Sequence, residues 1–385
     1  ADLARGAADL EPILHSFKNS QHLRVGVRDI LGRDDISATH RALADVAETC
    51  LRRIADHEAD AVRARFGVPR VEPPTLVDPD GERRPDVRFA DRAGEECELV
   101  ILALGKLGGR EPNYHSDLDL VFLYETDGHT DPPRRGADST TNGHYFGQLG
   151  QRIVQAANRM GPFGRLYEVD ARLRPTGKSG PLAVSLDAFQ RYFAEGHGQL
   201  WERQALCKAR VIYGSSRAED TVMRAVAAAA YGPGWKRENA AEIRAMRTRL
   251  EEDASPSNLK RSPGGTMDTE FLVQMLQLRH GGDRPAIRKP GTLDALHALE
   301  AADLLSSDDA EFFRESYRFQ RSVEARIRLM NTVGRHEVPT DERELGKLAF
   351  LLGHTDPSGI RRRAEELFDE TRRRFNRLFG EATSG

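Results

Sequence analysis

The sequence predicts an α+β protein in three parts: a helical N-terminal segment, a small sheet-bearing core and a C-terminal helical bundle. Three observations carry that expectation. Apolar residues recur at helical spacing through the first seventy residues, and short β-branched runs appear between about 97 and 175. From about Leu186 onward nearly every stretch returns to helical spacing. The units drawn from this are 1–72 (helices), 73–96 (linker), 97–232 (core) and 233–385 (bundle).

In the first unit, "DDISATHRALADVAETCLRRIADHEADAVRARFG" offers Asp34 or Asp35 as an N-cap, followed by Leu43, Val46, Ala47, Leu51, Ile54 and Ala55 at helical positions. Residues 73–96 are rich in Pro, Gly and charge and read as a linker or irregular excursion. "CELVILALG" (97–105) and "DLVFLYE" (119–125) have strand length and composition, and 126–144 reads as a polar loop. "YFGQLGQRIVQAANRM" (145–160) is spaced as a helix, whereas "RLYEVDARLRP" (165–175) alternates as a strand. Beyond Leu186 the helices break near 256–268 and 281–292. Long amphipathic helices are expected over 308–331 and over "GIRRRAEELFDETRRRFNRLFG", whose arginines alternate with acids on a solvated face.

Composition narrows the function. With 57 basic and 60 acidic residues the net charge is −3, which supplies no general attraction to nucleic acid or anionic membrane. The three cysteines, Cys50, Cys97 and Cys207, have no metal-ligand spacing and fit buried thiols in a reducing cytosol. "ADLARGAADLEP" lacks the apolar core of a signal peptide and no stretch approaches the ~20 apolar residues of a membrane span, so a soluble cytoplasmic protein is expected.

The chemistry concentrates in "LGKLGGREPNYHSDLDLVFLYE" (104–125). Strand residues two apart share a face, so Asp117 and Asp119 project together while Leu118 and Leu120 project oppositely. The same parity puts Glu168, Asp170, Arg172 and Arg174 on one face of the later strand. Pairing of the two strands would gather Asp117, Asp119 and Asp170. Ionised carboxylates repel when clustered, and an oxygen-only set suits a hard cation such as Mg²⁺ or Mn²⁺. Gly105, Gly108 and Gly109 permit a backbone close to phosphate, but "GKLGG" is no P-loop, and "GKSG" (177–180) fails because Arg172 stands where the leading glycine belongs. His115 and His144 read as solvated loop residues. Asp268 and Glu270 of "MDTEF" either face the site or complement a helix dipole.

The order strand, Gly-Gly, spacer and Ser-Asp-x-Asp resembles nucleotidyltransferases of the polymerase-β superfamily. The blocks "GKLGGREPNYHSDLDLVFLYE", "YEVDARLRPTGKSGPLAVSLDAFQRYF", "WERQALCKARVIYG" and "NLKRSPGGTMDTEFLVQMLQLRHG" resemble one family in particular, the glutamine synthetase adenylyltransferases. The resemblance implies a polymerase-β-like nucleotidyltransferase core with a mixed sheet over 97–232. It also implies a single half of a longer bifunctional enzyme, more like the adenylylating C-terminal half than the adenylyl-removing half.

By the same resemblance Asp117, Asp119 and Asp170 are the catalytic and metal-binding acids. Gly108, Gly109 and Ser116 are the residues that would cradle the triphosphate, Arg172 and Arg174 either neutralise phosphate or form a structural ion pair with Glu168 or another acid, and Lys106 either reaches phosphate or lies in a solvated turn. The implied substrates are ATP and a tyrosine of glutamine synthetase, with a PII-type signal protein as a further partner. Two other readings share these residues: a nucleotidyltransferase acting on RNA ends or small molecules, and a non-catalytic module that binds glutamine synthetase. Net acidity and the 7% aromatic content disfavour the first, and the intact acidic trio disfavours the second.

Overall fold

The structure is a computed structural model and describes residues 7–73, 75–77, 83–331 and 335–384. Part of the N-terminal stretch read for targeting (1–6) and part of the expected linker (74 and 78–82) lie outside the described residues. Helices dominate, arranged around a small mixed sheet.

The N-terminal segment forms α1 (Ala7–Ile30) and α2 (Ile36–Phe66). Asp35 caps α2 by accepting from the Ala38 amide at 2.7 Å, while Asp34 is held by Arg28. Leu43, Ala47, Leu51 and Ile54 recur on one face of α2 and are buried against α1 and α3 (Asn142–Asn158).

Among the described residues five strands make the central sheet: β1 (Leu99–Ala103), β2 (Leu118–Tyr124), β3 (Val169–Asp170), β4 (Ala183–Ser185) and β5 (Arg210–Tyr213). β2 is its axis. β1 runs antiparallel to it, with Leu102 opposite Val121, and β5 continues antiparallel on β1. β3 lies parallel beside the start of β2, and β4 lies parallel beside its end. β1 is buried throughout and β2 nearly so, as continuous apolar runs require when helices cover both faces.

The following helices are α4 (Leu186–Ala194), α5 (Leu200–Leu206), α6 (Ser216–Tyr231), α7 (Arg237–Glu251), α8 (Thr266–His280), α9 (Thr292–Ala301), α10 (Ser307–Met330), α11 (Glu342–Leu351) and α12 (Pro357–Ser384). α8 is apolar on nearly all sides and sits centrally, touching α7, α9, α10 and α12. A single apolar cluster runs from Leu14 in α1 through the sheet to Ala382 in α12.

Three stretches differ from expectation. Residues 73–96 hold a hairpin of Thr75–Val77 with Arg83–Pro85, and they dock through buried Phe89 and through Arg92, which pairs with Glu125 at the end of β2. Within the polar loop 126–144, Thr130–Asp131 pairs antiparallel with Val68–Pro69. The strand expected over 165–175 shrinks to Val169–Asp170. Gly164–Arg165 belongs to a separate hairpin with Met160–Gly161. After Asp170 its own carboxylate accepts from the Arg172 amide at 2.9 Å, an Asx-type turn that ends the extended run.

No described helix is long and apolar enough to cross a membrane. Phe122, fully buried on β2, packs at the centre of the cluster, whereas Phe350 is 80% exposed. Phe122→Ala is expected to lower unfolding free energy by about 3–5 kcal/mol in urea titrations. Phe350→Ala is expected to stay within about 0.5 kcal/mol of wild type.

Candidate active site

Pairing of β3 with β2 puts Asp170 directly opposite Asp119, and Leu118 opposite Val169. Asp117 precedes β2 by one residue, exposed, and Asp119 is half-buried. Neither the Asp117 nor the Asp119 carboxylate accepts a hydrogen bond among the described residues. Burial, followed by the negative charges of Asp117 and Asp170, pushes the Asp119 carboxyl up from 3.8 to about 6. Asp170 behaves oppositely. Its carboxylate is held by the Arg172 guanidinium, with Nε at 2.9 Å and 2.7 Å from the two oxygens, which keeps it below the usual carboxylate range.

Among the described residues no three acidic, His or Cys side chains form a ready-made metal cage. Asp170 is paired with the Arg172 guanidinium. The donors still suit a hard divalent ion: all are carboxylate oxygens, two have no protein partner among the described residues, and one titrates upward through burial and then through its acidic neighbours.

Basic groups surround the acids. Lys260 and Arg172 oppose the shift of Asp119, and Lys178 lowers Asp170 together with Arg172. Arg328, on α10, donates to the Tyr114 carbonyl at 2.9 Å and to Ser116 Oγ at 3.3 Å, bracing the turn that carries Asp117. The Ser116 hydroxyl meanwhile accepts from the Asn113 amide at 2.9 Å. Lys260 and Arg328 were not singled out from sequence. Lys260 lies within the quoted "NLKRSPGG", but nothing local marks its approach to a strand some 140 residues earlier.

The glycine turn works differently from expectation. Gly105 has φ +53°, and a Cβ there would stand 2.1 Å from Asp119 Oδ2, so Gly105 borders the acids. A Cβ on Gly108 would stand 2.0 Å from the Lys208 carbonyl oxygen, and one on Gly109 would stand 2.9 Å from that of Pro290. Packing against neighbouring backbone therefore fixes both as glycine. Lys106, expected at phosphate, is tied inward instead. Its ammonium pairs with Glu270 and donates to the Tyr317 hydroxyl at 3.2 Å, and burial lowers it to about 8. Arg174 likewise turns to backbone, donating to the carbonyls of Ala171, Gly180 and Pro181, the last at 2.9 Å.

Beneath the turn lies a buried ionic network. Lys208 donates to Glu111 at 2.9 Å, Glu111 accepts from the Tyr317 hydroxyl at 3.1 Å and the Thr292 amide at 2.6 Å, and Arg321 pairs with Glu324. Glu270 belongs to this network and Asp268 pairs with Arg247, so neither lines the acidic site. Burial alone would raise Glu270, but Lys106 and Lys208 hold it down at about 2. The three cysteines are buried, and burial pushes each thiol up to about 12.

Strand-borne acids ringed by basic side chains suit a polyphosphate accompanied by hard cations. A sequence model of the family described as glutamate-ammonia ligase adenylyltransferase matches residues 5–76 and 83–225, more than half of the chain. The chain belongs to that family. A second model, described as GlnD PII-uridylyltransferase, matches residues 237–382. Similar curated proteins are named bifunctional glutamine synthetase adenylyltransferase/adenylyl-removing enzymes. One from Bordetella pertussis is 32% identical over 372 residues, covering 92% of this chain and 37% of the relative. Another, from Stenotrophomonas maltophilia strain K279a, is 33% identical over 357 residues, covering 90% and 35%. A third, from Nitrosomonas eutropha, is 32% identical over 380 residues, covering 97% and 38%. The chain thus spans less than two-fifths of these relatives' length.

Asp119 has a testable signature. Its folded value near 6 exceeds the ordinary 3.8, so ionising it costs stability above pH 6, and the cost fades as pH falls toward 4. Asp119→Asn is expected to raise the melting temperature at neutral pH, with the advantage shrinking below pH 6 and lost near pH 4. Thermal melts across that range check the sign.

Proposed function

We propose that this chain transfers AMP from ATP to a tyrosine hydroxyl of glutamine synthetase, on a polymerase-β-like nucleotidyltransferase core over 97–232. The helices of 1–72 and 233–385 would flank that core, with 73–96 joining it to the first of them. Family membership supports the reading, and the register that sets Asp170 against Asp119 is the observation that carries it.

Asp117, Asp119 and Asp170 would hold Mg²⁺ or Mn²⁺, which when bound supplies charge neutralisation at the phosphates. Arg172 exchanges its pairing with Asp170 for the triphosphate as the nucleotide enters, and Lys260 adds positive charge from the helical side. Ser116, held by Arg328, presents the turn to the nucleotide, and Gly105 lets Asp119 lie close to the backbone. The tyrosine oxygen attacks the α-phosphorus in line, and the bond to the β-phosphate's bridging oxygen breaks. Asp170, released by Arg172, takes the hydroxyl proton, and pyrophosphate departs. Orientation and charge carry this chemistry, so no covalent nucleophile is required, in keeping with the buried, raised cysteine thiols.

The relatives' names cover both directions of the reaction, and the acids serve either; phosphorolytic removal of AMP is the second reading. A PII-type signal protein as regulator and a cytoplasmic setting go with the same proposal, the former supported by the second family match.

The test mixes the chain with ATP labelled at the α-phosphate, Mg²⁺ and glutamine synthetase. Label is expected on the synthetase, with Asp117→Asn and Asp119→Asn each lowering the rate about 10³-fold or more, equivalent to about 4 kcal/mol. Release of ADP from AMP-modified synthetase and phosphate, without labelling, would establish the removing direction. Labelling untouched by both substitutions would overturn the assignment of the acids.

A further inference from the structure

The chain that follows Asp170 folds back on itself, and one side chain closes it. The Arg174 guanidinium, a candidate for phosphate on sequence grounds, donates instead to the carbonyls of Ala171, Gly180 and Pro181, at 2.5, 3.2 and 2.9 Å. One planar fork thus joins the two ends of the stretch 171–181. Inside the closure the Gly177 amide donates to the Arg174 carbonyl at 2.9 Å, and a Cβ on Gly177 would stand 3.7 Å from the Arg172 carbonyl oxygen. The Ser179 hydroxyl donates to the Thr176 carbonyl at 2.7 Å. Thr176 holds φ +60°, a region that a β-branched residue enters only where its surroundings impose it.

The closure decides where Lys178 lies. Lys178 follows Gly177, so its stem starts beside Arg172 and two residues of chain from Asp170's own turn. Asp170 is held below the usual carboxylate range first by its hydrogen bonds from Arg172 and further by the charge of Lys178. Lys106, Arg172 and Arg328 are each tied to protein groups. Lys178 is exposed, with no hydrogen bond or ion pair among the described residues. An exposed lysine is ordinarily a solvated surface group. This one stands apart because a strained turn, locked by a neighbouring arginine, sets it beside the acids. A lysine serves phosphate as a mobile point charge, without the fixed geometry that a guanidinium needs.

We propose that Lys178 contacts the polyphosphate of the nucleotide, and that Arg174 is a positioning residue that holds the turn carrying Lys178. The inference rests on the nucleotidyl-transfer reading above. It gives the two residues separate work: Lys178 meets the substrate with its charge, and Arg174 acts on the substrate only through Lys178.

Titration calorimetry of the intact chain with Mg²⁺ and a non-hydrolysable ATP analogue tests this without a catalytic readout. Lys178→Met is expected to weaken binding of the analogue about tenfold, equivalent to about 1.4 kcal/mol, and Lys178→Arg to recover most of the loss. Arg174→Lys keeps the charge and loses the fork, so it is expected to weaken binding several-fold. The double variant Arg174→Lys, Lys178→Met is expected to bind as weakly as Lys178→Met alone, because the first substitution acts through the second residue. Should Arg174→Lys fail to fold, the two variants of exposed Lys178 decide the matter. Binding by wild type with affinity unchanged in Lys178→Met would overturn the inference and leave the nucleotidyl-transfer reading standing. Fully additive losses in the double variant would overturn the role of Arg174. No binding of the analogue by wild type would overturn both the inference and the reading beneath it.

Discussion

Everything at the acidic site depends on a parallel pairing only two residues long. Asp170 meets Asp119 because β3 is held in one register, and a slip of one residue would turn Asp170 into the apolar layer. So short a strand cannot fix its own register. The end of α3 does it instead: Asn158 accepts from the Val169 amide at 2.8 Å, and the Ala157 carbonyl accepts from the Tyr167 amide at 3.0 Å. The Leu118 amide then donates to the Glu168 carbonyl at 2.8 Å and draws β2 into line. A helix terminus thus sets the position of an acid on the sheet.

The second constraint joins sheet to helices. Lys106 and Glu111 of the glycine turn, and Lys208 just before β5, meet Glu270 on α8 and Tyr317 and Arg321 on α10. Removing one member of such a buried set leaves a charge unpaired, at a cost of about 3–5 kcal/mol. This network orients rather than reacts. It fixes the turn from below, while Arg328 fixes the Ser116 segment from the side. Residues matched by the two family models therefore share one network, and Lys260 enters the field of Asp119 through the same arrangement.

Much of this was legible in the sequence. Period-two alternation marked Asp117 and Asp119, and helical spacing marked α2, α3, α10 and α12, because burial of one face leaves a local signature. The convergence of Asp170 with Asp119 followed from parity once pairing was assumed. What parity could not give was the turn after Asp170. Arg172 lies there by a side-chain hydrogen bond, and Arg174 leaves the expected face for backbone carbonyls. Lys106 and the glycines were ambiguous for a related reason: a turn that closes on phosphate and one that packs against neighbouring backbone carry the same letters. Lys260 and Arg328 act across long sequence separations, which local patterns do not record.

In the proposed function Asp117, Asp119 and Asp170 act together on a nucleotide's cation, and Arg172 stands in until it arrives. The most direct measurement is Mn²⁺ binding, followed by electron paramagnetic resonance, with a non-hydrolysable ATP analogue present. Wild-type chain should bind Mn²⁺ in a nucleotide-dependent manner, and Asp119→Asn and Asp170→Asn should each abolish it. Equal Mn²⁺ binding by wild type and both variants would contradict the account.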